Sequence, residues 1–253
     1  MNTIRKRELQ GYFYTSVGYV FIGVFLIISS ILFYVGILKP RSGELPNFIY
    51  TMSYLWMLLC PILTMRLLAE EKQKKTDQLL LTSPVSLPGI VMGKYLAAVT
   101  VLLITAGMTL LFVLVVAIYG RVYPAELAVN YLGFILQGCA LVALDLFLSG
   151  CAGTPVTAAV LAYGANLMLW ILDEMYSLIQ ADWISEILKF LSLYRRNENM
   201  IRMGQLSIAA ILYDFSFIAA FLALTVWKPY SSRSGGCFGS RPPFRRRISA
   251  YQR

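Results

Sequence analysis

The sequence predicts an all-α membrane protein with six transmembrane helices. Three observations carry that prediction. The 253 residues are 58% hydrophobic and only 14% charged, against about 25% charged in an ordinary soluble domain. The apolar residues collect into runs of about 20, long enough for a helix to cross a hydrocarbon core of about 30 Å. The runs lack the alternation of outer-membrane strands, and the short links between them carry most of the Lys and Arg.

Residues 2–13, NTIRKRELQGYF, set three basic side chains beside Ile4, Leu9, Tyr12 and Phe13. That mixture suits an N-terminal amphipathic helix lying on the membrane surface. The first span is expected at 17–38, closed by Lys39-Pro40. The start does not read as a cleavable leader, because the apolar run is too long and no small-residue cleavage site follows it. The second span, 48–68, contains Cys60-Pro61, where the missing amide favours a kink. The third, fourth and fifth spans fall at 95–118, 127–149 and 154–174, separated by the short links RVYPAE and GCAGTP. A longer amphipathic connection, 175–205, holds WISEILKFL and YRRNENMIRMGQ, and the sixth span occupies 206–227. Residues 1–227 therefore read as one six-span domain. Residues 228–253, rich in Gly, Ser, Pro and Arg, read as a basic, disordered cytoplasmic tail.

The net charge of +9 would suggest nucleic acid for a soluble chain. Here the positive-inside rule accounts for it, and nucleic-acid binding is set aside. With the N-terminus cytoplasmic, 15 of the 22 Lys and Arg lie in inside segments and 7 outside. The expected location is the cytoplasmic membrane, multi-pass, with both termini inside. Lys189, Arg195, Arg196 and Arg202 in the 175–205 connection run against that bias.

Between the second and third spans lies RLLAEEKQKKTDQLLLTSPVSLPGIVMGK, Arg66 to Lys94. RLLAEEKQKK consists of good helix formers and can extend the second span. Thr76 suits an N-cap with Asp77 in the first turn, and Pro84 stops the short helix that follows. Ser86 and Pro88 open the next helix, which runs into the third span. The short helix places Leu79, Leu80 and Leu81 outside the bilayer. Periodicity leaves two readings open: the leucines fold back on the membrane or bundle, or they form a knob for a cleft in a soluble partner.

The run EEKQKKTDQLLLTSPVSLPGIVMGKYLAA resembles the cytoplasmic loop of type-2 ATP-binding-cassette exporter permeases. It is most similar to the branch associated with gliding motility and copper-site assembly. KRELQGYFYTSVGYVFIGVFLI and ENMIRMGQLSIAAILYDFSFIAAFLALTV resemble that family's first and last spans, so the likeness runs through residues 5–227. The resemblance implies a permease that dimerises with a second permease subunit, identical or not, and binds a separate ATPase subunit. ATP and Mg would be held by that partner, with no cofactor in this chain. The helix between the second and third spans would be a cytoplasmic coupling helix, carrying ATPase closure into the membrane to drive export. Glu70, Glu71, Thr76, Gln78, Leu79, Leu80, Pro84, Val85 and Lys94 occupy the motif positions. Asp145 departs from the small residue often found there, and the tail GGCFGSRPPFRRRISAYQR is unlike the family.

Little else in the chain points to chemistry. The sequence has no His, which removes Ser–His and Cys–His catalysis and disfavours a zinc site. The four cysteines form no CxxC and read as small apolar residues. GIVMGKY has three residues between its glycines and a Tyr after its Lys, so it is no phosphate loop. Asn130, Gln137, Asp145, Asn166 and Asp214 are the polar groups within spans. A charge there is costly and usually faces a partner or an aqueous path. Asp145 and Asp214 sit near span ends, where they can reach water or pair helices. Together with Asn166, they are also candidates for a translocation path. Gly133, Gly138, Ala140 and Ala143 permit close helix contact. Tyr12, Tyr14, Trp183, Tyr194 and Trp227 fit an interfacial belt. A secondary transporter would need an internal repeat, and none is visible. A non-transporting scaffold of an envelope or motility machine is the second alternative.

Overall fold

The computed structural model describes residues 8–12, 14, 17–40, 44–74, 87–119, 123–176 and 193–234. Side chains at 87, 119, 175–176, 193–194 and 228–234 are excepted. Helix α1, Val17–Phe33, ends in a π-helical turn, Tyr34–Leu38. Helix α2 spans Leu45–Thr64, and a turn separates it from the short α3, Ala69–Gln73. Helix α4 is Leu87–Tyr119, α5 Pro124–Cys151, α6 Pro155–Tyr176, α7 Leu193–Met203 and α8 Ile208–Ser234. Among the described residues there is no strand.

Among the described residues, six segments are long and apolar enough to cross a membrane: Val17–Leu38, Leu45–Gln73, Pro88–Ile118, Pro124–Cys151, Pro155–Glu174 and Ile208–Trp227. The expected order of spans holds. Helix α4 starts at Leu87, where Ser86 and Pro88 place a helix entry, and so ahead of the span expected at 95–118; Pro88 in its first turn needs no amide partner there. Helix α8 continues past Trp227 to Ser234. Residues 235–253, most of the expected tail, lie outside the described residues, as does the Trp183 part of the 175–205 connection.

Helix α5 is the axis of the bundle and packs against α2, α4, α6, α7 and α8. Its small residues allow this. A Cβ on Gly133 would fall 2.9 Å from Ile201 Cγ1, and one on Gly138 would fall 2.6 Å from Leu102 Cδ1. Trp56 of α2 is fully buried, with ring centroids 4.5 Å from Phe25 and 5.0 Å from Phe134. This aromatic stack joins α1, α2 and α5.

The sequence alone makes YRRNENMIRMGQ part of a connection. The structure folds it into α7, with Asn197, Met200 and Ile201 buried against the spans. Gly204 ends this helix at φ +60°, and a Cβ there would fall 2.3 Å from Glu126 Cγ. Both the left-handed backbone and the missing side chain are therefore needed. Gly204→Ala is expected to cost about 1–2 kcal/mol in backbone strain alone. Thermal unfolding in detergent checks this, and an unchanged midpoint would show that α7 does not need this stop.

Candidate functional site

Charged side chains from three parts of the chain meet at the root of the 66–94 loop. Lys94, in the second turn of α4, is 1% exposed. Its ammonium donates to Glu71 Oε1 at 2.7 Å, Leu67 O at 2.8 Å and Glu8 Oε1 at 3.1 Å. All three of its donors are thus used. Two carboxylates offset the cost of burying the cation, and each is only 24% exposed. Three stretches of sequence converge here: the N-terminal helical turn 8–12, the end of the second span and the start of the third.

The second span breaks at this root. The helix-forming run RLLAEEKQKK is expected to continue α2, but residues 65–68 form a turn before α3. Tertiary bonds replace the lost helical ones. Ser149 Oγ of α5 accepts from the amides of Leu68 and Ala69 at 3.3 Å each and donates to Met65 O at 3.3 Å. Lys94 holds Leu67 O, and Lys72 donates to Gly150 O. Tertiary contacts here outweigh a weak helix propensity.

Tyr12, expected in an interfacial belt, is instead buried and donates to Leu63 O at 2.9 Å. Burial, and then the Glu8 carboxylate, hold its phenol well above the usual tyrosine range, so it remains a donor. Tyr14 and Trp227 are exposed, as a belt requires.

Of the motif positions, Glu71 and Lys94 are brought together, while Glu70 pairs with Lys74 at 2.7 Å on an exposed face. Thr76, Gln78, Leu79, Leu80, Pro84 and Val85, and with them the expected short helix, lie outside the described residues. Glu8 and Ser149 escaped the sequence reading. The only available signal was a Lys just inside an apolar run, which demands acidic partners from elsewhere.

Three of the polar groups singled out in the spans, Asp145, Asn166 and Asp214, enter two buried pairs, while Asn130 and Gln137 are buried outside them. Asp145 of α5 and Asn166 of α6 are 1% and 0% exposed, so Asp145 does not reach water as its place near a span end suggests. Pro61 has no amide to serve Met57 O, and Asn166 Nδ2 donates to that carbonyl at 3.3 Å. The same Nδ2 lies 3.4 Å from Asp145 Oδ2. Asp214 of α8 is also buried and accepts from Asn197 Nδ2 at 3.2 and 3.0 Å. Its partner comes from α7, which the sequence alone did not show as a packed helix. Both pairs link helices inside one chain.

A chain with six apolar, membrane-length helices among its described residues, one of them the small-residue axis α5, is a multi-pass membrane protein. It belongs to the ABC-2 family transporter proteins, whose family model matches residues 10–233 and takes in all six spans. This family supplies the membrane-spanning permeases of ATP-binding-cassette transporters, which normally work as dimers with an ATPase. Comparison with curated proteins returned no match.

Proposed function

We propose that the chain couples ATP hydrolysis by a separate ATPase subunit to export of a substrate across the cytoplasmic membrane. It works beside a second permease subunit, with both termini cytoplasmic. ATP and Mg reside on the ATPase. The likeness of the loop to the gliding-motility and copper-assembly branch supports placing it there.

The observation that carries this reading is the pinned root of the 66–94 loop. A coupling element must pass force to the spans without yielding at its base. Here the base continues from α2 and is tied by Lys94 to α4 and by Ser149 to α5, while Tyr12 fastens the N-terminal turn to the end of α2. Displacement of the segment carrying Thr76, Gln78, Leu79, Leu80, Pro84 and Val85 would therefore move three spans together. Glu70 and Glu71 are the last described acidic groups before that segment. The N-terminal helical turn 8–12, tied through Glu8, moves with it. Asp145, Asn166 and Asp214 are buried within one protomer, so a path lined by them would have to open between its own helices.

Co-purification from native membranes tests the reading. A stoichiometric ATPase is expected with the wild-type chain, and recovery should fall at least tenfold with Leu80→Asp, which puts a charge on the proposed docking knob. Undiminished recovery would remove the leucines from the interface. A bound ATPase that no ligand stimulates would favour a scaffold.

A further inference from the structure

Asp145 and Asn166 leave two buried oxygens unmatched. Asn166 Nδ2 serves Met57 O and Asp145 Oδ2. Only the amide's NH2 end can donate to both acceptors, so its orientation is fixed and Oδ1 is the end left over. Asn166 Oδ1 and Asp145 Oδ1 are both buried and have no hydrogen-bond partner among the described residues. No Lys or Arg among those residues pairs with Asp145.

Two buried acceptors on paired side chains, neither with a donor, call for a cation. A hard metal ion takes about six or more oxygens, and this site offers two. A proton needs only one donor atom and one acceptor. A neutral carboxylic acid supplies the first from Oδ1, and Asn166 Oδ1 is the second. An acid and an amide joined by one N–H···O contact can close a second with their remaining atoms, the acid's O–H donating to the amide oxygen.

We propose that Asp145 is a proton-binding site inside the bundle, occupied as the neutral acid and partnered by Asn166. The titratable groups facing it are Cys60 from α2 and Tyr163 from α6, neither of which supplies a positive charge. None of α4, α7 and α8 supplies Asp145 with a charged partner among the described residues. The pair is a neutral latch between the fourth and fifth spans, seated on the carbonyl that Pro61 frees. Losing the proton leaves an unpaired charge between helices, which is relieved only when α5 and α6 part and admit water. The closed arrangement binds the proton more tightly than an opened one, so it is favoured as pH falls and weakened as pH rises. The site does not depend on the ATPase-coupling reading.

Infrared spectroscopy of the full chain in lipid nanodiscs at neutral pH tests it. A protonated-carboxyl C=O stretch is expected in the wild type, lost in Asp145→Asn, shifted in Asn166→Leu and retained in Asp214→Asn. Asp145→Asn keeps the size and polarity of the side chain, and the wild-type spectrum needs no variant. A wild type without the acid band would overturn the proposal, as would a band that survives Asp145→Asn.

Discussion

Lys94→Met is expected to lower the stability of the solubilised chain by about 3 kcal/mol, within the range for removing one partner of a buried ion pair. The methionine keeps the length of the lysine stem and its apolar packing. What disappears is the charge that lets Glu8 and Glu71 sit together, and the donor to Leu67 O. The two carboxylates are each 24% exposed, so water relieves part of the repulsion and holds the cost near the low end. Adding Glu8→Gln and Glu71→Gln to Lys94→Met should recover most of the loss, because no unpaired charge then remains. The thermal midpoint in detergent measures both steps. If Lys94→Met alone unfolds like the wild type, the three-way contact contributes nothing. If the triple variant is stable yet no longer supports ligand-stimulated ATP hydrolysis, the knot acts in coupling as well as in folding.

What the sequence disclosed and what it concealed divide along a physical line. The six spans were legible because each is a local property: about 20 apolar residues carry the signal by themselves. The early start of α4 was also local, since Ser86 and Pro88 mark a helix entry. The break at 65–68 was not, because the run RLLAEEKQKK favours helix and the reason to stop lies in Ser149, 80 residues further along. Asp145 was legible as a costly charge that reaches water or pairs helices, but the sequence did not show which. Counting residues along a span gives depth in the membrane, not the direction a side chain faces. That direction is set by α6, which brings Asn166, and by Pro61, which frees the carbonyl that anchors it. Asn197 stayed hidden because its polar neighbours made α7 read as a link, although Asn197, Met200 and Ile201 share one face at helical spacing.

Trp56→Ala is expected to be the most damaging truncation in the core, at about 4 kcal/mol. The indole is fully buried and lies between Phe25 of α1 and Phe134 of α5, with Phe21 nearly parallel at 6.2 Å. Removing it opens a cavity at the meeting point of three helices that cannot close in. Their approach is already limited by contact, since a Cβ on Gly138 would fall 3.3 Å from Trp56 Nε1. Trp56→Phe should cost far less, about 1 kcal/mol. The smaller ring leaves a gap, but the change also removes Nε1, a buried donor with no partner among the described residues. The comparison separates two roles for the tryptophan. A mild Trp56→Phe beside a severe Trp56→Ala means that ring volume and stacking hold α1 and α2 to α5. Equal losses would mean instead that Nε1 has a partner, such as a bound water, and that the indole acts through a hydrogen bond. The thermal midpoints of the two variants in the same detergent decide between them.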